Sequence, residues 1–333
     1  MISPDQIEEL KIELTDACQL ACGFCHRGTR RQQAHDQALD FLAACNWIDW
    51  AGRQGIPSVR FTGGEPTLHP KLLDLCRHAR ERGLRVVVNS NGQIEPCLLL
   101  KLVSFVDVLK LSLPLPSESE CDDLTRRNGS FLRKIETAAV ALERCVEVEL
   151  LTVLGEHCIG RVREILHLVE SYPGMRWVPL RIESSPDSAR PLTRCSLQLL
   201  VEELDQASQQ VPGCSLKLNL AVPFCAVRPP ELAARILSGR AQDCGPFRSL
   251  VVSVRGELMS CYSCREPIRQ RSTLRDALED PVVRSLTDPA FLPERCQRCA
   301  HLPRCAGGCR SPHGLVPCQS SSIDYLASEE ASS

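Results

Sequence analysis

The chain has no excess of charge of either sign: 39 basic residues stand against 41 acidic ones, a net charge of −2. Nucleic-acid binding leaves a basic footprint, and none is present. Arg27, Arg30, Arg31, Arg126 and Arg127 read instead as solvated faces or ligand contacts. No apolar run approaches the ~20 residues that span a bilayer. The opening Met1-Ile-Ser-Pro-Asp-Gln6 lacks the basic and apolar regions of a secretion signal. A cytoplasmic location is therefore expected. No internal repeat or low-complexity tract stands out, and histidines 26, 35, 69, 78, 157, 167, 301 and 313 form no ligand-spaced cluster. At 333 residues and 43% hydrophobic content the chain can bury a large core, and its length suggests about two domains.

What is present in excess is cysteine, with twenty in all. In a small secreted chain they would suggest disulfides. In a long chain without a signal they point to metal or catalysis. They are also unevenly spread: eight fall at or after Cys244. Cys18, Cys22 and Cys25 form C-x3-C-x2-C, which can reach three irons of a cubane cluster and leave the fourth without a protein ligand. Thiolates are the soft ligands such clusters select, and a free corner is a site for a small chelating molecule. The same three residues could hold zinc with a distant fourth ligand, or be buried thiols.

Periodicity places this triplet. Strands are predicted at Lys11–Leu14, Ser58–Phe61, Leu84–Asn89, Val106–Ser112, Val146–Val153 and Met175–Ile182. Helices are predicted at Gln37–Arg53, Pro70–Arg82, Glu95–Ser104, Ser130–Arg144 and Arg161–Ser171. Short Val/Leu-rich strands alternating with helices predict an α/β fold: a parallel sheet curled as a partial (β/α)6 TIM-like barrel. Its reactive groups should gather at the carboxyl ends of the strands. The cysteine triplet follows the first strand and Gly63-Gly64-Glu65-Pro66 ends the second. Glycine lets backbone approach a ligand closely, and Glu65 can accept a hydrogen bond from an ammonium group.

Together, C-x3-C-x-aromatic-C after the first strand and GGEP after the second resemble the radical S-adenosylmethionine (SAM) superfamily. The resemblance implies a 4Fe–4S cluster on Cys18, Cys22 and Cys25, with Phe24 near the adenine. Gly63, Gly64 and Glu65 would line the amino group of SAM. One electron from the cluster would cleave SAM to a 5′-deoxyadenosyl radical that removes a substrate hydrogen atom. Val88-Asn89-Ser90-Asn91-Gly92 resembles the family's (S/T)NG segment, which makes Asn91 a candidate. Ser112 matches the serine of its S-x-D-G segment, although Leu113-Pro114-Leu115-Pro116 replaces Asp-Gly here. Arg127-Asn-Gly-Ser-Phe131 resembles R-x-G-S-F, which makes Arg127 a candidate contact for the SAM carboxylate. The alternative readings are a turn asparagine, a solvated serine and a surface arginine.

Toward the C-terminus, Cys244 precedes Gly256-x4-Cys261, then Cys296-x2-Cys299-x5-Cys305-x3-Cys309 and finally Cys318. Leu250–Met259 reads as a hairpin turning at Arg255-Gly256. The array resembles the SPASM extension of radical SAM enzymes, although Cys296-x2-Cys299 alone resembles a zinc knuckle. The resemblance implies two auxiliary 4Fe–4S clusters. The outer one would use Cys296, Cys299, Cys305 and Cys318, and the inner one Cys244, Cys261 and Cys309. Relatives often carry another inner-cluster cysteine where Leu250 stands; here Cys264 is the candidate substitute, the alternative being an open fourth iron. The remaining nine cysteines read mostly as small buried residues. Cys195 and Cys225 lie in less regular surroundings, where a hydrogen donor or extra ligand is conceivable.

The expected organisation is a barrel over 1–190, a helical linker over 191–243 with a helix at Ser196–Gln209, the auxiliary-cluster domain over 244–318 and a tail from 319. The expected activity is that of an oxidoreductase or maturase using SAM, the core cluster and an external donor such as flavodoxin or ferredoxin. Its substrate would be a ribosomally made peptide, cross-linked or dehydrogenated. The alternative is a small natural-product intermediate such as a sugar, nucleoside or aminocyclitol. The first strand begins by residue 11, so no N-terminal peptide-binding module of about 80–100 residues is expected. A cysteine-rich zinc or redox sensor without catalysis is the competing class.

Overall fold

The computed structural model describes residues 2–25, 37–181, 192–210, 222–236 and 245–310. Strand β1 (Glu9–Thr15) alternates strictly: Leu10, Ile12 and Leu14 are fully buried in the hydrophobic core, while Glu9, Lys11 and Glu13 take the opposite face. The sheet continues in β2 (Ser58–Gly63), β3 (Arg85–Ser90), β4 (Val108–Ser112), β5 (Glu147–Leu154) and β6 (Met175–Arg181). All five pairings from β1 to β6 are parallel and follow sequence order. Between them lie α1 (Phe41–Arg53), α2 (Leu72–Glu81), α3 (Pro96–Leu102), α4 (Glu118–Thr125), α5 (Ser130–Glu143) and α6 (Val162–Glu170). The expected partial barrel is the fold observed.

Some boundaries differ from expectation. Helix α1 starts at Phe41 rather than Gln37, because the Asp40 carboxylate caps the Leu42 and Ala43 N–H groups at 2.9 and 3.1 Å. Ala38 meanwhile bridges antiparallel to Thr15. Helix α4 was not expected, since Pro114 and Pro116 mark a loop and the segment after Ser117 is polar. Of the eight unassigned cysteines that are described, Cys45, Cys76, Cys121 and Cys158 are buried, but Cys97, Cys145, Cys195 and Cys225 are exposed. Amphipathic helices and turns carry them at solvent-facing positions, which a reading by hydrophobicity does not separate.

Beyond the barrel, α7 (Arg194–Gln210) covers the expected helix. Its Glu203 carboxylate accepts from the Gly160 and Val162 N–H groups, both at 2.9 Å, and so anchors the start of α6. Helix α8 (Pro230–Ile236) follows. The expected hairpin is formed by β7 (Ser249–Val252) and β8 (Leu258–Met259), and Gly256 takes its turn at φ +75°. The hairpin is not separate. Strand β7 pairs parallel with β1, Glu9 opposite Ser249 through Ile12 opposite Val252, so one eight-stranded sheet runs β6-β5-β4-β3-β2-β1-β7-β8. Short helices complete the C-terminal region: α9 (Leu274–Glu279), α10 (Pro281–Thr287), α11 (Glu294–Gln297) and α12 (Leu302–Cys305).

The sheet face opposite the helices is charged and self-paired. Arg60 meets Glu9 at 2.6 Å, Lys110 meets Glu149 at 2.6 Å, and Arg265 reaches across to Glu13 at 3.1 Å. Burial with Arg60 alongside drops Lys110 to about 8. Buried charges persist only when paired in this way.

Candidate functional site

Three loops meet at the carboxyl ends of β1, β2 and β3. The Gly64 N–H donates to Thr15 O at 2.6 Å and the Glu65 N–H to Ala17 O at 2.8 Å, which lays the GGEP backbone directly on the start of the cysteine loop. A methyl group on Gly64 would stand 2.3 Å from Ala17 O and 2.5 Å from Asp16 O, well inside contact distance. Only glycine lets the two backbones close.

Glu65 is fully enclosed. Its Oε1 accepts from Thr67 N–H at 3.2 Å, Thr67 Oγ1 at 2.7 Å and Ser90 Oγ at 2.9 Å, and its Oε2 accepts from Asn91 N–H at 2.7 Å. Burial pushes this carboxyl above its usual range even against those bonds. The carboxylate therefore ties the β2 loop to the end of β3.

From there Asn91 carries the contact onward. Its Nδ2 donates to Cys18 Sγ at 3.5 Å and to Gln19 Oε1 at 3.2 Å, and Gln19 Nε2 donates to Gln93 O at 2.9 Å. The far side of the cysteine loop is strapped to the end of α4 through Ala21 N–H to Thr125 O (3.3 Å) and Gly23 N–H to Leu124 O (3.0 Å). Cys18, Cys22 and Cys25 are all half-buried. Burial, opposed by Lys134 and reinforced by the neighbouring thiols, pushes Cys22 up to about 12.

Lys134 was not singled out from the sequence. It lies on α5, 1% exposed, and its ammonium donates to the Asn91 carbonyl. Gly92 leaves room for its stem, since a methyl there would meet Lys134 Cγ at 2.9 Å. A lysine at helical spacing reads as surface, and no signal near it in the sequence marks it as buried. Of the other candidates, Phe24 is half-buried in the cysteine loop, Ser112 is half-buried at the end of β4, and Arg127 is exposed two residues past α4.

The C-terminal cysteines lie on either side of the hairpin and the short helices. Cys261 and Cys264 follow β8, and the Cys264 N–H donates to Cys261 Sγ at 3.2 Å. Tyr262 and Arg265, from the same loop, reach back to β1. Lys11 lies 5.2 Å from the Tyr262 ring centre, and Arg265 pairs with Glu13. This seats the Cys261–Cys264 loop against the concave face of the barrel. Leu250 is fully buried in β7. Cys296 is in α11, Cys305 ends α12, and Ala306, Gly307 and Gly308 turn the chain through three successive positive φ angles to Cys309. Cys244 and Cys318 lie outside the described residues.

The model of the radical SAM superfamily matches residues 12–169. Those residues carry a radical SAM domain. The chain is 25% identical over 319 residues to the PqqA peptide cyclase of Xanthomonas oryzae pv. oryzae (strain MAFF 311018), a match covering 90% of this chain and 82% of the relative. Its fold matches that of Streptococcus suis SuiB bound to S-adenosylmethionine, at a TM-score of 0.76 and 18% identity, over 96% of this chain and 77% of SuiB. It likewise matches SuiB bound to the precursor peptide SuiA, at a TM-score of 0.72 and 18% identity, over 96% and 76%.

Radical SAM enzymes use a 4Fe–4S cluster and SAM, and the donor set here fits both. Three half-buried thiols share one loop, an amide N–H is aimed at one of the sulfurs, and a glycine cradle closes beside them. Among the described residues, no three His, Cys, Asp or Glu side chains converge on the point a single metal ion would take. A cubane, whose ligating sulfurs sit on different irons, asks for a wider triangle.

Proposed function

We propose that this enzyme uses SAM to modify a ribosomally made peptide oxidatively, by cross-linking or dehydrogenation. The observation that carries the reading is the continuous hydrogen-bonded path from GGEP through Glu65 and Asn91 to Cys18, at the strand ends of a barrel. A PqqA peptide cyclase aligned along 90% of the chain supports the peptide class.

In this reading Cys18, Cys22 and Cys25 hold three corners of the cluster. Asn91 Nδ2 donates to the Cys18 sulfur, and such hydrogen bonds tune a cluster's potential. The Gly63-Gly64 backbone lines the methionine ammonium of SAM, while Phe24, Ser112 and Arg127 flank the rest. Glu65 braces the loop through its four donors and positions that backbone. When bound, cluster and SAM together supply the hydrogen-abstracting 5′-deoxyadenosyl radical. Two auxiliary 4Fe–4S clusters belong to the same reading: an outer one on Cys296, Cys299 and Cys305 with Cys318, and an inner one on Cys244, Cys261, Cys264 and Cys309. Tyr262 and Arg265 hold the Cys261–Cys264 loop against β1, and an inner cluster held there would supply an acceptor for the second electron of a two-electron oxidation. An external donor such as flavodoxin or ferredoxin reduces the enzyme. The units are a barrel over 1–190, a linker over 191–243 and a cluster domain over 244–318.

The test is a search of the neighbouring genes for a short precursor reading frame, then anaerobic reconstitution with SAM, dithionite and the peptide it encodes. The expected result is 5′-deoxyadenosine together with a peptide lighter by two hydrogens. Deoxyadenosine with an unchanged peptide overturns the peptide assignment, and no SAM cleavage overturns the whole reading.

A further inference from the structure

Three consecutive residues just beyond β3 are held from one side by α5. The Lys134 ammonium donates to the Asn91 carbonyl. Thr137 Oγ1 donates to the Gly92 carbonyl at 2.9 Å, and Gln93 Nε2 donates to the Ser130 carbonyl at 3.1 Å. Gly92, at φ +82°, lies so close to the helix that a methyl group on it would also stand 3.1 Å from Lys134 Cα. Asn91 is the residue whose Nδ2 donates to Cys18 Sγ. Its backbone therefore faces a cation while its side chain faces a thiol of the cysteine loop.

Lys134 is the unusual member of this contact. Lysine is almost never fully buried unless paired, yet this one is enclosed by the protein. Among the described residues its ammonium makes no ion pair with a carboxylate, and it ends on a neutral carbonyl. Burial lowers it, and Cys121, Cys22, Glu65 and Cys18 act in the opposite direction. Two of those four belong to the triplet at the carboxyl end of β1. A buried cation separated from the Cys18 sulfur by a single residue has its counter-charge in a group bound to that loop.

We propose that Lys134 is a positioning residue of the core centre: it fixes Asn91 against Cys18 and sets one buried positive charge beside the thiolate loop, which favours the reduced form of the cluster. This rests on the reading that Cys18, Cys22 and Cys25 hold a 4Fe–4S cluster. A cubane on three thiolates is anionic and gains a further negative charge on reduction, so a fixed cation in low-dielectric surroundings raises its potential. Reduction of the cluster is the step that must precede SAM cleavage, and Lys134 makes it easier without touching SAM or substrate.

The test compares two variants of the full chain, reconstituted anaerobically. Lys134→Met keeps an apolar stem and removes the charge, whereas Lys134→Arg keeps the charge. Iron content and thermal unfolding report whether centre and fold persist. Electron paramagnetic resonance of samples poised at a series of potentials follows the signal that changes on adding SAM, which marks the core cluster. In Lys134→Met about tenfold less of that cluster is expected to be reduced at a fixed potential, a fall of about 59 mV for one electron. Signals insensitive to SAM should keep their potentials, and Lys134→Arg should titrate like the wild type. An unmoved core potential in Lys134→Met overturns the proposal, as does an equal fall in Lys134→Arg. Should Lys134→Met fail to hold the core irons, Lys134→Arg decides: iron retained there supports the charge, and iron lost in both variants leaves a packing role alone and overturns it. A wild-type chain with no SAM-responsive signal would instead remove the core cluster itself, a separate failure.

Discussion

The carboxylate of Glu65 takes its hydrogen bonds from Thr67, Ser90 and Asn91, so its first partner is the protein. In Glu65→Gln the amide nitrogen must face one of these donors, leaving a buried group unpaired at a cost of about 1–3 kcal/mol. The variant is expected to melt several degrees lower and to bind SAM more weakly, as checked by thermal unfolding and by SAM titration. An unchanged melting temperature with weakened SAM binding would mean that the carboxylate serves the ligand directly. At this scale the sequence revealed residue types but not their partners. The close backbone approach at Gly63-Gly64 was legible from the two glycines, whereas the donors to Glu65 come from a neighbouring turn and from another strand. Lys134 was hidden for the same reason: nothing local says that Gly92 and the Asn91 carbonyl wait opposite that position of α5.

Among the elements, β7 has the most to test. Leu250 is fully buried within it, and Leu→Ala at such a core position costs about 2–5 kcal/mol. Because β7 is bonded to β1, Leu250→Ala is expected to lower the barrel's own unfolding midpoint, followed by amide exchange in β1 and β2. Protection lost only around the hairpin, with β1 unaffected, would contradict this. The six barrel strands were legible because buried parallel strands are short Val/Leu runs, and each was found within a few residues. The β7 hairpin was legible from its turn. Its pairing with β1 was not, since register between strands so far apart in sequence leaves no local trace. Helix α4 escaped because its polar face outweighs its two inward positions, Cys121 and Thr125.

For the whole molecule, the reading separates a core centre from a C-terminal array. Replacing Cys18, Cys22 and Cys25 together with alanine is expected to abolish SAM cleavage and remove about four irons, leaving the rest in place. Iron analysis checks this, and an unchanged count would sink the idea of a distinct core centre. Replacing Cys296 and Cys299 is expected to spare SAM cleavage yet stop product formation, measured as deoxyadenosine against modified peptide. Among the described residues no helix is long and apolar enough to cross a membrane.

The strand that carries the cysteine loop has neighbours on both flanks, and one of them, β7, is made long after it. While the chain emerges from the ribosome, the outer edge of β1 stays open until Ser249–Val252 appear. At about 5–20 residues per second that wait is on the order of ten to fifty seconds. An open strand edge is a template for wrong pairing, so the nascent enzyme has an interval of vulnerability that its finished form conceals. Chaperone shielding during synthesis should therefore raise its soluble yield.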